Sequence, residues 1–269
     1  MQLFYAGKLR EGLSFSTVHH LHGVLHRALK DAVQLGLVQR NVTEQVRAPR
    51  RQRTEMTVLS EEQGNRLLAA TRGDRFEALF VLALTTGMRQ GELLALKWRG
   101  LDLDGGSLQV RATLQYTVDG YRFSEPKTAL SRRQIALPQM AIEALKLHHA
   151  RQAEERLRLG PAWNDLDLVF PNTIGHPMDG IHLLQRHFHP LLDKAGLPRM
   201  RFHDLRHTAA TLLLGRGINP KIVSEMLGHS QIGITLGLYS HVTPHMQQQA
   251  ANAMDEALGG YRSSTKRGV

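Results

Sequence analysis

The 269-residue chain contains no cysteine. Disulfide bonds, thiolate metal sites and a cysteine nucleophile are therefore excluded. Long apolar runs are also missing, since the longest, from Leu79 to Leu84, is far shorter than the roughly 20 residues of a membrane-spanning helix. The segment from Met1 to Leu9 lacks the apolar core of a secretory signal peptide. We therefore expect no membrane association, and the reducing cytoplasm is the expected compartment.

Acidic residues are scarce relative to basic ones. Asp and Glu total 24 against 34 Lys and Arg, which gives a formal net charge of +10. Most of the basic residues are arginines, and a guanidinium binds phosphate in a bidentate manner better than an ammonium does. This balance favours a polyanionic partner, with nucleic acid first, although a generally basic surface would give the same counts.

An amphipathic helix is predicted over residues 14–36, with Ser16 or Thr17 at its start and Gly36 at its end. Its apolar stripe consists of Val18, Leu21, Leu25, Ala28, Leu29 and Ala32. Its other face carries four histidines, at positions 19, 20, 22 and 26. A metal site is one interpretation of these histidines. No carboxylate is placed to complete such a site, so a solvated or phosphate-facing surface is favoured.

A second short helix is predicted over 41–47, and the proline-containing basic stretch that follows indicates a linker. Two helices cannot enclose a core by themselves. We therefore expect residues before the linker either to pack on the rest of the chain or to be the later part of a longer domain.

Downstream of the linker the pattern predicts helices interrupted by strands. Three helices come first: one capped by Ser60, a buried one that ends at Gly87 and one that starts at Arg89. Between residues 102 and 137 apolar and polar residues alternate, which indicates strands. Asp119-Gly120 is a hairpin turn signal. Helices resume at Pro138 and continue nearly to the end. The expected fold class is mainly α with a small antiparallel β-sheet (α+β).

The densest cluster of chemically useful side chains is the segment RFHDLRHT, residues 201–208. His203 and Arg206 are three residues apart and share a helix face, whereas Leu205 and Ala209 face the core. The pair alone is weak evidence, since the chain has 15 histidines and a second His-x-x-Arg pair at His148.

Further polar residues accompany this pair at structural breaks. His229 follows Gly228, which is predicted to end a helix that begins at Asn219-Pro220. Tyr239 comes ten residues after His229, Arg89 follows the break at Gly87, and Lys127 lies on the predicted hairpin.

Taken in order, these residues resemble the six-residue catalytic set of the tyrosine recombinases, the phage integrase family. The six are Arg89, Lys127, His203, Arg206, His229 and Tyr239. The flanking segments TTGMRQGELLALKW, HDLRHT, LGHS and LYSHV are similar to that family as well. The resemblance implies a partial helical core DNA-binding domain (1–48), a linker (49–57), a catalytic domain with a C-terminal helix (58–258) and a basic disordered tail (259–269).

The resemblance implies cleavage and religation of DNA through a 3′-phosphotyrosine, with no metal or other cofactor. Tyr239 is the expected nucleophile, His203 the general base and Lys127 the general acid. Arg89, Arg206 and His229 are expected to bind the phosphate. Paired guanidinium donors suit this task because negative charge builds up on the phosphate oxygens in the transition state.

Structural interpretations stand beside these roles. Arg89 also fits a surface salt bridge, and His229 a simple helix cap. Lys127 alternatively contacts a backbone phosphate. Glu92 either supports Arg89 or is a favourable first-turn acid, and we favour structural support. Tyr116 and Tyr121 flank the turn and are predicted to pack across the hairpin.

The expected partner is double-stranded DNA, and the helix over 244–258 is expected to join protomers in a tetramer on DNA. The resemblance points to a bacterial or phage-encoded protein. The alternatives are a DNA-binding protein of this fold without catalysis, a catalytic fragment with weak cleavage, a metal-dependent hydrolase suggested by the histidines, and a topoisomerase-like enzyme. The DNA target cannot be inferred, because base contacts and DNA deformability set it.

Overall fold

The computed structural model describes residues 1–50, 56–125 and 132–228, together with Gly233, Asn252 and 254–258. The chain divides into two compact units, Met1–Glu55 and Met56–Val269. Lys127, His229, Tyr239 and most of the predicted C-terminal helix lie outside the described residues. Among the helices that are described, none has the combination of length and apolarity that a bilayer crossing requires.

The first unit contains two α-helices and one 3₁₀ turn. These are α1 (Gln2–Arg10), α2 (Phe15–Gln34) and a 3₁₀ helix over Val42–Gln45. The predicted cap of α2 was wrong, since the hydroxyl of Ser14 accepts the hydrogen bond from the Thr17 backbone N–H. Gly36, with φ of +70°, lies just beyond the end of α2, in agreement with the prediction.

Burial in the first unit is sparse. Of the predicted apolar stripe on α2, only Val18 is fully buried. The histidine face is less solvated than predicted, because His22 Nδ1 lies 3.0 Å from the Tyr5 hydroxyl and His26 Nδ1 lies 2.9 Å from Thr43 Oγ1. Helix α1 and the 3₁₀ turn offer α2 little apolar surface, so polar contacts fix part of its position.

The second unit contains most of the helices. In chain order they are α3 (Glu61–Thr71), α4 (Glu77–Thr86), α5 (Gln90–Leu94), α6 (Gln139–Leu159), α7 (Gly180–Leu183), α8 (His189–Lys194), α9 (Phe202–Gly215) and α10 (Pro220–Leu227). A π-helical turn over Leu184–Phe188 joins α7 to α8. Short 3₁₀ helices cover Trp98–Gly100 and Gly160–Ala162.

Helix α4 is the centre of the core. Every residue from Ala78 to Leu84 is buried. A helix that is apolar on all sides must be covered on all sides, and α4 packs against α3, α5, α6 and α9. Phe80 extends the core towards Phe188 and Phe202, whose ring centroids lie 6.0 and 6.4 Å away. This arrangement packs the first half of α4 against the start of α9.

In the described part of the chain, five short strands form two antiparallel sheets, where the sequence had suggested one. Strands β1 (Leu101–Asp102), β2 (Ser107–Val110) and β5 (Arg133–Ala136) form one sheet in the order β1-β2-β5. Strands β3 (Thr113–Thr117) and β4 (Gly120–Ser124) form a separate hairpin. The alternation of Leu108 and Val110 predicted the first sheet correctly, since both are buried.

The β3–β4 hairpin forms where it was predicted, although its two turn residues are Val118 and Asp119 and Gly120 already begins β4. Thr117 pairs with Gly120 across the turn, and Tyr116 pairs directly with Tyr121. The two tyrosine rings meet edge to face with centroids 5.3 Å apart. Cross-strand packing therefore accounts for both tyrosines.

Candidate active site

The first element of the site is the tight turn between α4 and α5. Gly87 ends α4 in the left-handed region, at φ of +62°, and Met88 is buried beneath the turn. A Cβ at Gly87 would lie 2.4 Å from Leu227 Cδ2, so the turn tolerates no side chain unless the buried Leu227 side chain of α10 moves. Arg89 follows immediately as the N-cap of α5, with its side chain 40% exposed.

The second element is α9, which carries His203 and Arg206. Asp204 closes its first turn by accepting a hydrogen bond of 3.1 Å from the Arg201 backbone N–H. Leu205 and Ala209 are buried and fix the rotation of the helix about its axis. Thr208 Oγ1 accepts a hydrogen bond of 3.1 Å from the Leu59 backbone N–H, which holds α9 beside the chain that enters α3.

Arg206 is buried almost completely, with 2% of its surface exposed. Its Nη1 donates to the Gly87 carbonyl at 2.8 Å, which ties α9 to the turn that carries Arg89. Its Nη2 is buried and, among the described residues, has no hydrogen-bond partner. A buried donor of this kind is costly unless a ligand satisfies it.

The electrostatic surroundings of Arg206 are positive. Burial, and then the positive charge of Arg89, lower the pKa of Arg206 to about 9. Arg133 lowers the pKa further, and only Glu92 opposes these effects. Bringing an anion to this position would offset the desolvation of the guanidinium and its repulsion by Arg89.

His203 lies on the solvent-facing side of α9, one turn before Arg206. Its ring meets that of His207 edge to face, with centroids 4.9 Å apart. Desolvation by the surrounding protein, followed by the positive charges of His207, Arg206 and Arg89, lowers the pKa of His203 to about 4. The imidazole is therefore neutral at physiological pH and able to accept a proton.

Glu92 is buried between two arginines. Its carboxylate accepts hydrogen bonds from Arg89, at 2.8 Å from Nη1 and 2.9 Å from the backbone N–H. Arg133 Nη2 donates to the same carboxylate at 2.8 Å. Burial alone would raise the pKa of Glu92, but the ion pairs with Arg133 and Arg89 outweigh it and hold the pKa below its usual value. Glu92 therefore contacts Arg89 directly, and its role as structural support for Arg89 stays a prediction.

Arg133 is a member of this cluster that the sequence analysis did not single out. A signal for it was present, because Arg133 is two residues before Ile135 on β5 and therefore shares the face of a buried apolar residue. Its side chain is only 6% exposed. An arginine on the inward face of a strand requires buried partners, and Glu92 on α5 is one of them.

The third element is the C-terminal end of α10. Asn219 caps the start of this helix, Pro220 occupies its first position, and Gly228 ends it at φ of +67°, as the sequence predicted. The Gly228 carbonyl accepts a hydrogen bond of 3.3 Å from Arg89 Nη2. The chain that enters His229 is thereby anchored next to Arg89.

The structure thus brings together Arg89, Glu92, His203 and Arg206, and the positions of Lys127, His229 and Tyr239 fall outside the described residues. The second His-x-x-Arg pair is structural, since His148 is buried with Nε2 2.6 Å from the Val169 carbonyl. Across the ranges that are described, no three histidine, aspartate or glutamate side chains are grouped so that they could hold a metal ion.

Comparisons with known proteins agree with this geometry. The model of the phage integrase family matches residues 57–246. A XerC-like tyrosine recombinase from Caldanaerobacter subterraneus subsp. tengcongensis is 35% identical over 274 residues, which cover 95% of this chain and 70% of that protein. An integrase from Streptomyces ambofaciens is 32% identical over 250 residues, covering 90% of this chain and 64% of that protein.

Solved structures share the fold. The Tn1549 transposon integrase in complex with a circular intermediate DNA superposes with a TM-score of 0.77 at 23% identity, over 94% of this chain and 84% of that one. A lambda integrase dimer bound to a core site superposes with a TM-score of 0.61 at 20% identity, over 88% of this chain and 77% of that one. The chain therefore belongs to the phage integrase family of tyrosine recombinases, enzymes that cleave and rejoin DNA strands in site-specific recombination.

Proposed function

We propose that this chain cleaves double-stranded DNA through a covalent 3′-phosphotyrosine at Tyr239, with the scissile phosphate bound between Arg89 and Arg206. The observation that carries the proposal is the buried Nη2 of Arg206, which has no partner among the described residues. It lies in positive surroundings next to Arg89. A non-bridging phosphate oxygen supplies both the missing acceptor and the missing negative charge.

The two arginines lower the barrier because charge accumulates on the phosphate oxygens during attack. The α4–α5 turn and α9 hold both guanidiniums before DNA arrives, so little reorganisation is required in the transition state. Removing one such preorganised donor typically costs about 3 kcal/mol of barrier. Two fixed arginines can thus supply the charge stabilisation that metal ions supply in other phosphoryl-transfer enzymes.

The proton transfers follow from the remaining residues. The Tyr239 oxygen attacks phosphorus while the bond to the 5′-oxygen breaks, and His203 accepts the phenolic proton. Lys127 donates a proton to the leaving 5′-oxygen, and His229 hydrogen-bonds the phosphate. His203 is neutral before DNA binds, as a general base must be, and the negative charge of a bound phosphate would raise its pKa of about 4 towards the range in which a base works well. Attack by a 5′-hydroxyl on the phosphotyrosine reverses these steps and reseals the strand.

We further propose how the chain engages DNA. Residues 1–48 form a helical DNA-binding unit, 49–57 are a linker, 58–258 are the catalytic domain and 259–269 are a basic tail. The C-terminal helix over 244–258 contacts a neighbouring protomer in a tetramer on DNA. The net charge of +10 supports a DNA partner, and the cytoplasm is the compartment that such a partner implies.

The test is a DNA duplex nicked close to a candidate crossover site, so that cleavage releases a short fragment and cannot be reversed. The wild-type protein and Tyr239→Phe are incubated with this substrate in EDTA and run on denaturing gels. We expect a protein–DNA adduct with the wild type and none with the variant. Intact DNA binding by both proteins without any adduct would instead support a DNA-binding protein without catalysis.

A further inference from the structure

Arg133 joins two helices of the site through its guanidinium. Its Nε donates to the Met226 carbonyl at 2.6 Å, near the end of α10. Its Nη1 and Nη2 donate to the two oxygens of Glu92, at 3.2 and 2.8 Å. All three nitrogens are therefore engaged, on α5 and on α10.

The partners of Arg133 lead directly to the residues that bind the phosphate in the proposed function. Glu92 also accepts hydrogen bonds from Arg89. Gly228 comes two residues after Met226 and directly before His229, and its carbonyl accepts a hydrogen bond from Arg89 Nη2 at 3.3 Å. Arg133 itself begins β5, at the end of the chain segment that contains Lys127. Arg89 and the end of α10 thus both lie next to partners of Arg133.

We propose that Arg133 is a positioning residue for DNA cleavage: it fixes the start of α5, the start of β5 and the end of α10 relative to one another. The inference rests on the proposed function. Arg133 is nearly buried, and its three nitrogens are directed to Glu92 and Met226. It acts through Arg89 and through the end of α10.

An electrostatic effect accompanies the geometric one. The single carboxylate of Glu92 is shared between two arginines, so its negative charge is divided between Arg89 and Arg133. Without Arg133, the full charge of this carboxylate would act on Arg89 and weaken its attraction for phosphate. The loss would be felt most in the transition state, where the charge on the phosphate is greatest.

Lysine cannot replace arginine at this position. An ammonium at residue 133 keeps a positive charge opposite Glu92, which avoids an unpaired buried carboxylate. It lacks the planar fork that reaches both carboxylate oxygens and the Met226 carbonyl at once. Arg133→Lys should therefore keep the stability of the fold but lose the alignment of the site, whereas Arg133→Met should lose both.

The neighbouring residue provides a matched control. Arg132 is exposed and pairs with Glu125 on the surface. Arg132→Gln removes the same positive charge one position earlier without touching the cluster. A second control is Leu67→Ala. It removes most of a buried side chain of α3, and the resulting cavity lowers the stability of the fold away from the site.

The experiment measures three quantities for the full chain and its variants: the melting temperature, the Kd for a duplex carrying the crossover site, and the single-turnover rate of adduct formation on the nicked substrate at saturating protein. We expect Arg133→Lys to form the adduct about 10- to 100-fold more slowly, with an unchanged Kd, because small misplacements in an active site cost rates of this size. Arg132→Gln and Leu67→Ala should form it at the wild-type rate below their melting temperatures.

Two results would overturn the inference. One is a wild-type rate for Arg133→Lys. The other is an equal loss of rate in Leu67→Ala, measured at the same number of degrees below its melting temperature. A general loss of stability would then account for the effect of Arg133→Lys. A failure of the proposed function is distinguishable, since the wild-type protein itself would then form no adduct, and the inference would fall with it.

Discussion

At the scale of single residues, Arg206 is the most constrained side chain of the site. It is buried, it donates to the Gly87 carbonyl, and its other terminal nitrogen has no partner among the residues described. Such an arrangement is unfavourable for the fold alone, because a buried unpaired donor costs about 1–3 kcal/mol. It is favourable for binding an anion, so Arg206 fits a function in the complex with DNA better than one in the free protein.

Replacement of Arg206 by lysine should slow DNA cleavage by about 100-fold or more, because an ammonium cannot hold the Gly87 carbonyl and two phosphate oxygens together. Single-turnover adduct formation measures this loss. The control is Arg216→Gln, which removes an arginine that is 70% exposed and paired with Glu61 on the surface. Cleavage by Arg206→Lys at the rate of this control would contradict the assignment.

The ionisation of His203 gives a second prediction at this scale. Its pKa of about 4 lies below the usual value of a histidine, so folding favours the neutral ring. The preference for the neutral ring contributes to the free energy of unfolding above the unfolded pKa of about 6.5, and this contribution is lost as the pH falls towards 4. Imidazole NMR should therefore give a titration midpoint near 4 for the resonance that is missing in His203→Gln, and a midpoint near 6.5 would contradict the prediction.

The site residues differ in how far the sequence could predict them. His203 and Arg206 share a helix, so local spacing was sufficient to place them together. The contact between Glu92 and Arg89 is also local, one turn apart at a helix start. Arg133 meets Glu92 only because β5 returns beside α5, and no local pattern encodes that approach. Its inward position on the strand predicted burial, whereas the identity of its partners required the fold.

At the scale of elements, the turn between α4 and α5 determines how closely α9 and α10 approach Arg89. Gly87 supplies the carbonyl for Arg206 and leaves the space that Leu227 fills. The break was predictable from the glycine that follows an apolar run. The tight contact with α10 was not, since Leu227 is far away in the sequence.

Gly87→Ala should therefore destabilise the fold more than Gly73→Ala. Both glycines have positive φ, +62° and +78°, but a Cβ at Gly73 would meet nothing within 4 Å. Each substitution carries a backbone strain of about 1–3 kcal/mol, and the clash with Leu227 adds a further cost of about 1–3 kcal/mol to Gly87→Ala alone. Denaturant unfolding measures the difference.

Adduct formation completes the comparison of these two glycines. Gly87→Ala moves the carbonyl that holds Arg206, so its cleavage should be slowed severely, whereas Gly73→Ala should cleave normally. Equal unfolding free energies and equal rates for the two variants would mean that the turn has no special relation to the site.

The division into two sheets shows the limit of periodicity at this scale. Alternation identified the strands and the turn at Asp119-Gly120, and the burial of Leu108 and Val110 follows that pattern. Which strands pair is a non-local choice. Strand β5 joins β2 and not β4, with Leu108 opposite Ile135, because both residues face the core. The hairpin of β3 and β4 is left as a separate ribbon.

At the scale of the whole molecule, the excess of positive charge predicts a strong effect of salt on DNA binding. The net charge is +10, and each phosphate neutralised by a Lys or Arg releases condensed counterions. A protein with several phosphate contacts loses about 10³- to 10⁵-fold in affinity between 50 and 200 mM salt. Fluorescence anisotropy with a labelled duplex should show a loss of this order, and a salt-independent Kd would contradict a phosphate-dominated interface.

The central claim concerns the whole enzyme: Tyr239 becomes covalently attached to a DNA phosphate held by Arg89 and Arg206. Its most direct test is mass spectrometry of the adduct that forms on the nicked duplex in EDTA, after digestion of both protein and DNA. The expected result is a peptide containing Tyr239 that carries a 3′-nucleotide on the tyrosine oxygen. This peptide should be absent when the Arg206→Lys variant is incubated for the same time. Attachment at any other residue, or an adduct that requires a divalent metal ion, would contradict the claim.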